Sequence, residues 1–217
     1  MAKGHRLLAG AVLCTIAQSA FADLGFEVRG STLGLGAEVN YGYSPHWSVG
    51  VGYNGFTYST DTDAGNINYD VDLELSSVSV LGNYHPWGGI FRFTGGVLIN
   101  NNELSMTGTP SGGTFDIGDQ TYTAANVGQL NGLVSFHNWA PYLGVGWGKQ
   151  YGSRFGLSAD LGVAYQGSAA VDLSATGPIA GDPAFQNDLR REEQQTEDDL
   201  SVYKYYPVLG LGVYFRF

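Results

Sequence analysis

Long stretches of this chain alternate, residue by residue, between an apolar side chain and a glycine or polar one. The alternation is clearest over residues 33–43, 155–166 and 209–217, and a period of two is the signature of a β-strand. In each stretch the apolar face is continuous, whereas the opposite face is mostly glycine with isolated charges. A soluble sheet would need a charged face toward water, so this pattern predicts a barrel that turns its apolar face toward lipid.

Composition agrees with a membrane barrel and excludes several other classes. Only 14% of the 217 residues are charged, against ~25% in a typical soluble domain, while glycine (33) and tyrosine (14) are abundant. The net charge of −10 argues against nucleic acid as a partner, because phosphate binding requires concentrated Lys and Arg. Beyond the first 22 residues no apolar run reaches ~18 residues, which excludes a helical membrane protein.

The first 22 residues have the three parts of a secretory signal peptide. Lys3 and Arg6 give a positive start, residues 7–16 an apolar stretch, and Ala20-Phe21-Ala22 a small-x-small cleavage site. The single cysteine, Cys14, lies in this segment, so the predicted mature chain 23–217 has neither a disulfide nor thiol chemistry. Removal of Lys3 and Arg6 leaves 8 basic and 20 acidic residues, a net charge of −12.

Connection lengths predict the topology. Short turns alternate with long polar loops at about 60–68, 109–128 and 175–200, as periplasmic turns and extracellular loops do. The even number of strands places both termini on the periplasmic side. The predicted fold is all-β, an eight-stranded antiparallel transmembrane β-barrel with strands at 24–30, 32–43, 47–60, 68–85, 90–108, 129–150, 155–174 and 201–217.

Some finer features are predicted as well. Pro141 and Pro207 each lack a ladder donor and are predicted to mark bulges at the outer rim. The apolar alternation changes phase at Ser76-Ser77, which predicts another bulge. The polar segment 188–200 is predicted to form a short helix folded over the mouth of the barrel.

Aromatic residues cluster near both ends of the predicted strands and predict two interfacial girdles. The periplasmic girdle comprises Tyr41, Tyr43, Trp47, Tyr84, Trp87, Phe91, Trp147, Phe155, Phe215 and Phe217. The extracellular girdle comprises Tyr53, Tyr58, Tyr69, Tyr165, Tyr203 and Tyr205.

Strand alternation places six charged residues inside the barrel, three acids and three bases: Glu27, Arg29, Glu38, Arg92, Asp160 and Arg216. An eight-stranded barrel is barely wide enough for its own side chains or for one small ligand. One interpretation is a self-neutralising salt-bridge network that plugs the lumen, because a charge in a narrow lumen needs a partner. The other is a gated polar path in which solute groups replace these pairs.

The extracellular side is strongly acidic. Asp70, Asp72 and Glu74 share one face of a strand, predicted to point inward, and would form a vestibule that attracts basic solutes. The alternative is a solvated rim bridged to anionic lipopolysaccharide by divalent ions.

Other chemistries find little support in the sequence. The segment 61–66 resembles the start of a calcium loop but has Asp72 where an EF-hand has its bidentate glutamate, so it is interpreted as a turn. Ser135 and His137 could pair as nucleophile and base, but no third orienting acid is evident. The sequence predicts no enzyme activity, no metal site and no cofactor.

Four stretches resemble the CarO-like family of outer-membrane proteins from Gram-negative bacteria. They are residues 69–73 (Tyr-Asp-Val-Asp-Leu), 86–88 (Pro-Trp-Gly), 112–115 (Gly-Gly-Thr-Phe) and 140–144 (Ala-Pro-Tyr-Leu-Gly). The terminal residues 214–217, with Phe217 last, are similar to the signal read by the barrel-assembly machinery. The resemblance implies an eight-stranded barrel in the outer membrane, in contact with lipid and lipopolysaccharide, and linked to uptake of small solutes, notably basic amino acids, and to carbapenem entry.

Together these observations predict a narrow channel or binding site for small cationic or basic amino-acid-like solutes. The alternative is a plugged structural or surface-interaction barrel that acts through its acidic extracellular loops.

Overall fold

The computed structural model describes residues 24–64, 67–148 and 153–217, so the predicted signal peptide lies outside the described residues. Strands and helices follow one another along the chain as β1 Leu24–Ser31, β2 Gly34–Ser44, β3 Trp47–Ala64, β4 Ile67–Tyr84, β5 Phe91–Asn100, β6 Glu103–Pro110, β7 Thr114–Ile117, β8 Gln120–Thr123, α1 Ala124–Val127, β9 Leu130–Ser135, β10 Trp139–Trp147, β11 Phe155–Tyr165, β12 Ala170–Ala175, α2 Pro183–Asp199, a 3₁₀ segment Leu200–Lys204 and β13 Tyr205–Arg216.

Eight strands close into an antiparallel barrel. Their order is β1-β2-β3-β4-β5-β10-β11-β13, and β13 pairs back onto β1, with Phe26 opposite Phe215. The outward faces are apolar, as at Val28, Leu143 and Leu211, while the inward faces carry the polar residues. The predicted eight-stranded transmembrane barrel is therefore confirmed.

The barrel wall is much taller on one side than on the other. On the tall side the upper part of β4, residues 67–74, pairs with β6, and the sheet continues outward through β9 to β12. Three of the predicted long strands are each divided into two consecutive strands in the structure, with an interruption above the barrel. They are β5 and β6, β9 and β10, and β11 and β12. On the low side β1 and β2 end at the turn formed by Thr32 and Leu33.

The predicted extracellular loops are more ordered than the sequence suggested. The prediction of a loop at about 60–68 is wrong, because β3 and β4 continue pairing up to Ala64 and Ile67. The segment 109–128 contains the β7–β8 hairpin and α1. The predicted helix is present, but it begins at Pro183 because the Asp182 side chain accepts hydrogen bonds from the N–H groups of Ala184 and Phe185.

Neither proline marks a bulge, contrary to the prediction. Pro141 lies in register opposite Val97 of β5, and pairing of β10 with β11 begins only at the next residue, Tyr142. Pro207 lies in register opposite Val163 of β11, beyond Ser31, where pairing of β1 with β13 ends. Each proline thus occupies a position with a strand neighbour on one side only, where a missing donor costs little.

The predicted bulge at Ser76-Ser77 is also absent. The register between β3 and β4 is unbroken from the pair Trp47–Tyr84 to the pair Ala64–Ile67. What changes along β4 is the location of its apolar residues. Val78 and Val80 lie on the outward face of the barrel, whereas Val71, Leu73 and Leu75 lie on the inward face, the face of the buried Ser77 and Ser79.

The inward apolar residues belong to a small extracellular core. Ile67 packs there with residues of the β7–β8 hairpin, α1 and α2, and Tyr69 and Leu173 pack against its edge. We call the parts of the chain outside the barrel, with this core, the extracellular half. It comprises the upper part of β3 and β4, together with β6–β9, β12, α1, α2 and the 3₁₀ segment. Two predicted girdle residues belong to it, since Tyr69 packs on the core and Tyr58 lies opposite Leu73 on the inward face.

Candidate functional site: the closed lumen and the extracellular half

Two buried ion pairs lie on the inward face of the barrel wall. The guanidinium of Arg29 contacts the Glu38 carboxylate at 2.7 Å and donates further hydrogen bonds to Asn54 Oδ1 (3.2 Å) and Ser79 Oγ (3.4 Å). The side chains of Arg29 and Glu38 are only 8% and 1% exposed. Desolvating two charges is expensive unless additional hydrogen bonds satisfy them, and Asn54 and Ser79 supply these bonds. Neither residue was singled out from the sequence, because a polar residue on the inward face is common in any barrel.

The second pair joins Arg92 on β5 to Asp160 on β11. The Arg92 Nη2 atom lies 2.5 Å from Asp160 Oδ1, and Arg92 Nη1 donates to the carbonyl of Gly148 at 3.2 Å. β10 runs between the two strands, and its residue at this level is Gly146. A Cβ at Gly146 would lie 2.6 Å from Arg92 Cζ and 2.7 Å from Asp160 Oδ1. The pair therefore forms directly across a glycine.

The remaining two predicted lumen residues are also buried. Glu27 Oε1 accepts a hydrogen bond from Ser158 Oγ at 2.9 Å, across Gly212 of β13. Arg216 is buried on β13, diagonal to Glu27 on the paired strand. All six predicted charges thus lie on the inward face, and four of them form the two ion pairs Arg29–Glu38 and Arg92–Asp160.

Above these charges an apolar layer crosses the barrel. It consists of Leu33, Leu81, Leu98, Ala140, Tyr142, Ala164 and Val208. A cavity of about 20 Å³ lies next to it, bordered by Arg29, Asn83 and Asp160 among others. That volume is about what one water molecule requires.

Large side chains fill the space next to several inward glycines, so these glycines do not open the lumen. A Cβ at Gly156 would lie 2.6 Å from the Tyr214 hydroxyl, and one at Gly144 would lie 2.6 Å from the Tyr142 hydroxyl. Both tyrosines are buried. The inward direction of both rings could have been predicted from the sequence, because Tyr142 and Tyr214 occupy even-numbered positions of β10 and β13, and these positions face inward.

The three acids predicted to line a vestibule point the other way. Asp70, Asp72 and Glu74 are exposed and alternate with the half-buried Tyr69, Val71 and Leu73. The prediction that they face inward is wrong, because it depended on the bulge at Ser76-Ser77 that the strand does not contain. The three carboxylates lie on the outer surface of the tall wall.

Two glutamates of α2 hold the helix against the neighbouring sheet instead of lining a mouth. Glu193 Oε1 accepts from the N–H of Leu173 at 2.8 Å, and Glu197 Oε1 accepts from the N–H of Val171 at 3.1 Å. Both donors belong to β12, the edge strand of the sheet. Because an uncovered edge is a site for unwanted strand pairing, the helix also protects this edge.

A tyrosine–aspartate contact links the β7–β8 hairpin to α2. The Tyr122 hydroxyl donates to Asp188 Oδ2 at 2.5 Å, and the Tyr122 ring meets Phe185 edge to face. This hydrogen bond, together with desolvation and the negative charge of Asp188, raises the pKa of Tyr122 above its usual value.

The candidate nucleophile and base, Ser135 and His137, lie at the end of β9 and just beyond it. Ser135 pairs with Glu103 and Ala170 in the sheet, while the His137 N–H donates to the Gln166 carbonyl. Within residues 24–64, 67–148 and 153–217 there is no group of three or more potential metal ligands. Of the helices described, none has the length and apolar character needed to cross a membrane.

Comparison with solved structures identifies proteins of the same architecture. The crystal structure of Acinetobacter baumannii CarO aligns with a TM-score of 0.59 and 24% sequence identity, over 91% of this chain and 99% of that one. That of Acinetobacter baumannii CarO2 aligns with a TM-score of 0.59 and 20% identity, over 90% and 98%. No protein-family model matches the sequence, and no curated protein matches it significantly. The similarity establishes the fold: the chain has the eight-stranded outer-membrane barrel architecture of CarO.

Proposed function

We propose that the protein is an outer-membrane barrel whose lumen stays closed and which acts through its extracellular half. The observation that carries this proposal is the packing of the lumen, where an apolar layer lies above two buried ion pairs and the cavity beside it measures about 20 Å³. A path for a hydrated ion or an amino acid would need both layers to separate. The extracellular half, in contrast, has its own core, a capped helix and a covered sheet edge.

The proposal includes a location and partners. The apolar outward face supports an outer-membrane location, and the exposed terminal Phe217 supports recognition by the barrel-assembly machinery. Asp70, Asp72 and Glu74 face the surroundings of the barrel, where divalent ions would bridge them to lipopolysaccharide.

Planar bilayer recordings test the closed lumen. The wild-type barrel is expected to give no steady conductance in KCl, and a steady single-channel current would overturn the proposal. The triple variant Arg92→Ser/Asp160→Ser/Tyr142→Ala removes one ion pair and part of the apolar layer and is expected to conduct. Leu143→Ala, on the lipid-facing side of the same strand as Tyr142, is the matched control and should remain silent.

A second candidate is gated passage of small cationic, basic amino-acid-like solutes. The observation in its favour is that the Asp160 carboxylate, 12% exposed, borders the small cavity together with Arg29. A basic solute could compete for Asp160 when the pairs separate. Liposomes containing the protein should then take up lysine faster than glutamate, and Asp160→Asn should abolish the difference. Equal, background-level uptake of both amino acids would eliminate this candidate.

A further inference from the structure

The extracellular half contains a second, much larger cavity. Its volume is about 340 Å³. One wall is the inward face of the tall sheet, where Leu73, Leu104 and Val134 lie directly opposite one another on β4, β6 and β9. The facing wall is formed by Leu200 and Tyr203 of the 3₁₀ segment and by Tyr206 of β13.

The polar groups on the lining are few and mostly engaged. Asn102 Oδ1 accepts from the N–H of Ser76 at 2.9 Å, and Gln166 Nε2 donates to the Tyr203 carbonyl at 3.0 Å. Glu103 is the single charged residue among those that the structure shows lining the cavity. The cavity therefore has no base to hold an anion, and its surface is suited to apolar atoms.

The sheet wall of the cavity extends beyond the lipid zone. Trp139 marks the outer end of the lipid-facing side of β10, eight residues from Trp147 at the other end. Val134 lies five residues further toward the loops, which at ~3.3 Å per residue and a tilt of ~40° is roughly 12 Å farther from the bilayer centre. Lipid acyl chains end below this level. Because β1 and β2 stop at the turn formed by Thr32 and Leu33, the barrel wall is lower between β3 and β13 than on the side of the cavity.

We propose that this cavity binds a small, uncharged, predominantly apolar molecule that arrives from the aqueous side. The volume is roughly twice the ~150 Å³ that accommodates benzene, so a ligand of roughly a dozen heavy atoms fits. Aromatic character is favoured because Phe136, Tyr203 and Tyr206 contribute ring surfaces. Anionic amphiphiles are disfavoured because no base lines the cavity, and because four acids lie on the outer face of its sheet wall: Asp70, Asp72, Glu74 and Glu103. The inference rests on the proposed role of the extracellular half but not on the closed lumen.

The test is a titration of the protein in lipid nanodiscs with 2-naphthol and with its anionic analogue 2-naphthoate. Methyl NMR signals of Leu73, Leu104 and Val134 are expected to shift saturably with 2-naphthol, and the affinity for 2-naphthoate is expected to be at least tenfold lower. Equal affinity for both probes, or shifts that spread without saturation over lipid-facing methyl groups, would overturn the proposal. Contacts from lipid acyl chains to Leu104 in the absence of probe would also overturn it, since the occupant would then be membrane lipid.

Variants separate this site from the barrel. Val134→Phe fills the cavity and is expected to weaken 2-naphthol binding at least tenfold, and Leu104→Phe serves the same purpose if the first variant does not fold. Leu143→Phe adds the same ring on the lipid side, where Leu143 is 74% exposed, and should leave binding unchanged. Unaltered binding in folded Val134→Phe would refute the site. Bilayer conductance is recorded on the same samples, so that failure of the closed lumen and failure of the cavity are distinguished.

Discussion

The six lumen charges were located correctly from sequence because strand alternation has a fixed period of two. What the alternation did not predict was how the charges reach one another. Arg92 and Asp160 are two strands apart and meet only because the intervening residue is Gly146. Similar glycines lie beneath Tyr142 and Tyr214. At these positions the inward glycine accommodates a long side chain, and in the case of Gly146 the relation depends on pairing between strands and is not visible along one strand.

Gly146 and Gly210 provide a direct test of this role. Both are inward and both lie opposite Asp160, on β10 and β13. In Gly146→Ala the new Cβ would lie 2.6 Å from Arg92 Cζ, whereas in Gly210→Ala its nearest neighbour is Ser31 Cβ at 3.4 Å. Overpacking at Gly146 is expected to cost ~1–3 kcal/mol, and ~3–5 kcal/mol if the ion pair separates. The free energy of unfolding of both variants is measured by urea unfolding in lipid vesicles. An equal loss of this free energy in the two variants would contradict the role assigned to Gly146.

The Tyr122–Asp188 contact predicts a pH dependence for the extracellular half. The pKa of Tyr122 is raised above its ordinary value of 10.0, chiefly by the hydrogen bond to Asp188. Because the folded pKa is the higher one, this contribution to stability is complete below the unfolded pKa and is lost as the pH rises through the folded pKa. Asp188→Asn should lower the Tyr122 midpoint, measured by NMR of a ¹³Cζ-labelled tyrosine ring. An unchanged midpoint would show that the Asp188 carboxylate is not the cause.

At the scale of strands and helices, the sequence predicted the number and order of the barrel strands, because lipid forces a continuous apolar face on each of them. It failed where the strands leave the membrane. On β4 the apolar face changes from outward at Val78 and Val80 to inward at Val71, Leu73 and Leu75, with no bulge. The direction of the apolar face follows from what surrounds the wall. In the barrel lipid lies outside the wall, whereas in the extracellular half a protein core lies inside it. The same principle reverses the expected direction of Asp70, Asp72 and Glu74.

The helix α2 offers a prediction at the same scale. Glu193 and Glu197 each accept a hydrogen bond from an N–H of the edge strand β12. Replacing both by Ala is expected to speed hydrogen exchange at Leu173 and Val171 by roughly tenfold to a hundredfold, because a bond to a charged group contributes ~1.5–3 kcal/mol. Replacement by Gln keeps an acceptor oxygen and should have a smaller effect. Alanine at the exposed Gln194 and Gln195 is the matched control, and an equal change there would indicate a general loss of helix.

At the scale of the whole molecule, the protein consists of two parts stabilised by different means. The barrel is a closed sheet in which every strand has two neighbours, whereas the extracellular half depends on a core of seven buried residues including Ile117, Phe185 and Leu189. The sequence predicted the first part from alternation. It did not predict the second, because that core is assembled from three connections distant in sequence, whose polar composition is typical of loops.

This division predicts that the extracellular half unfolds before the barrel. Phe185 is 1% exposed within the extracellular core, and Leu81 is 7% exposed within the apolar layer of the lumen. Phe185→Ala is expected to cost ~3–5 kcal/mol, and Leu81→Ala ~2–5 kcal/mol, each in its own part only. In lipid nanodiscs Phe185→Ala should accelerate amide exchange together in α2, β7 and β8 while β1, β2 and β13 remain protected. Leu81→Ala should affect the barrel strands instead. If either variant changed the exchange of all elements by the same factor, the protein would be a single cooperative unit, because local openings cannot then be separated from global unfolding.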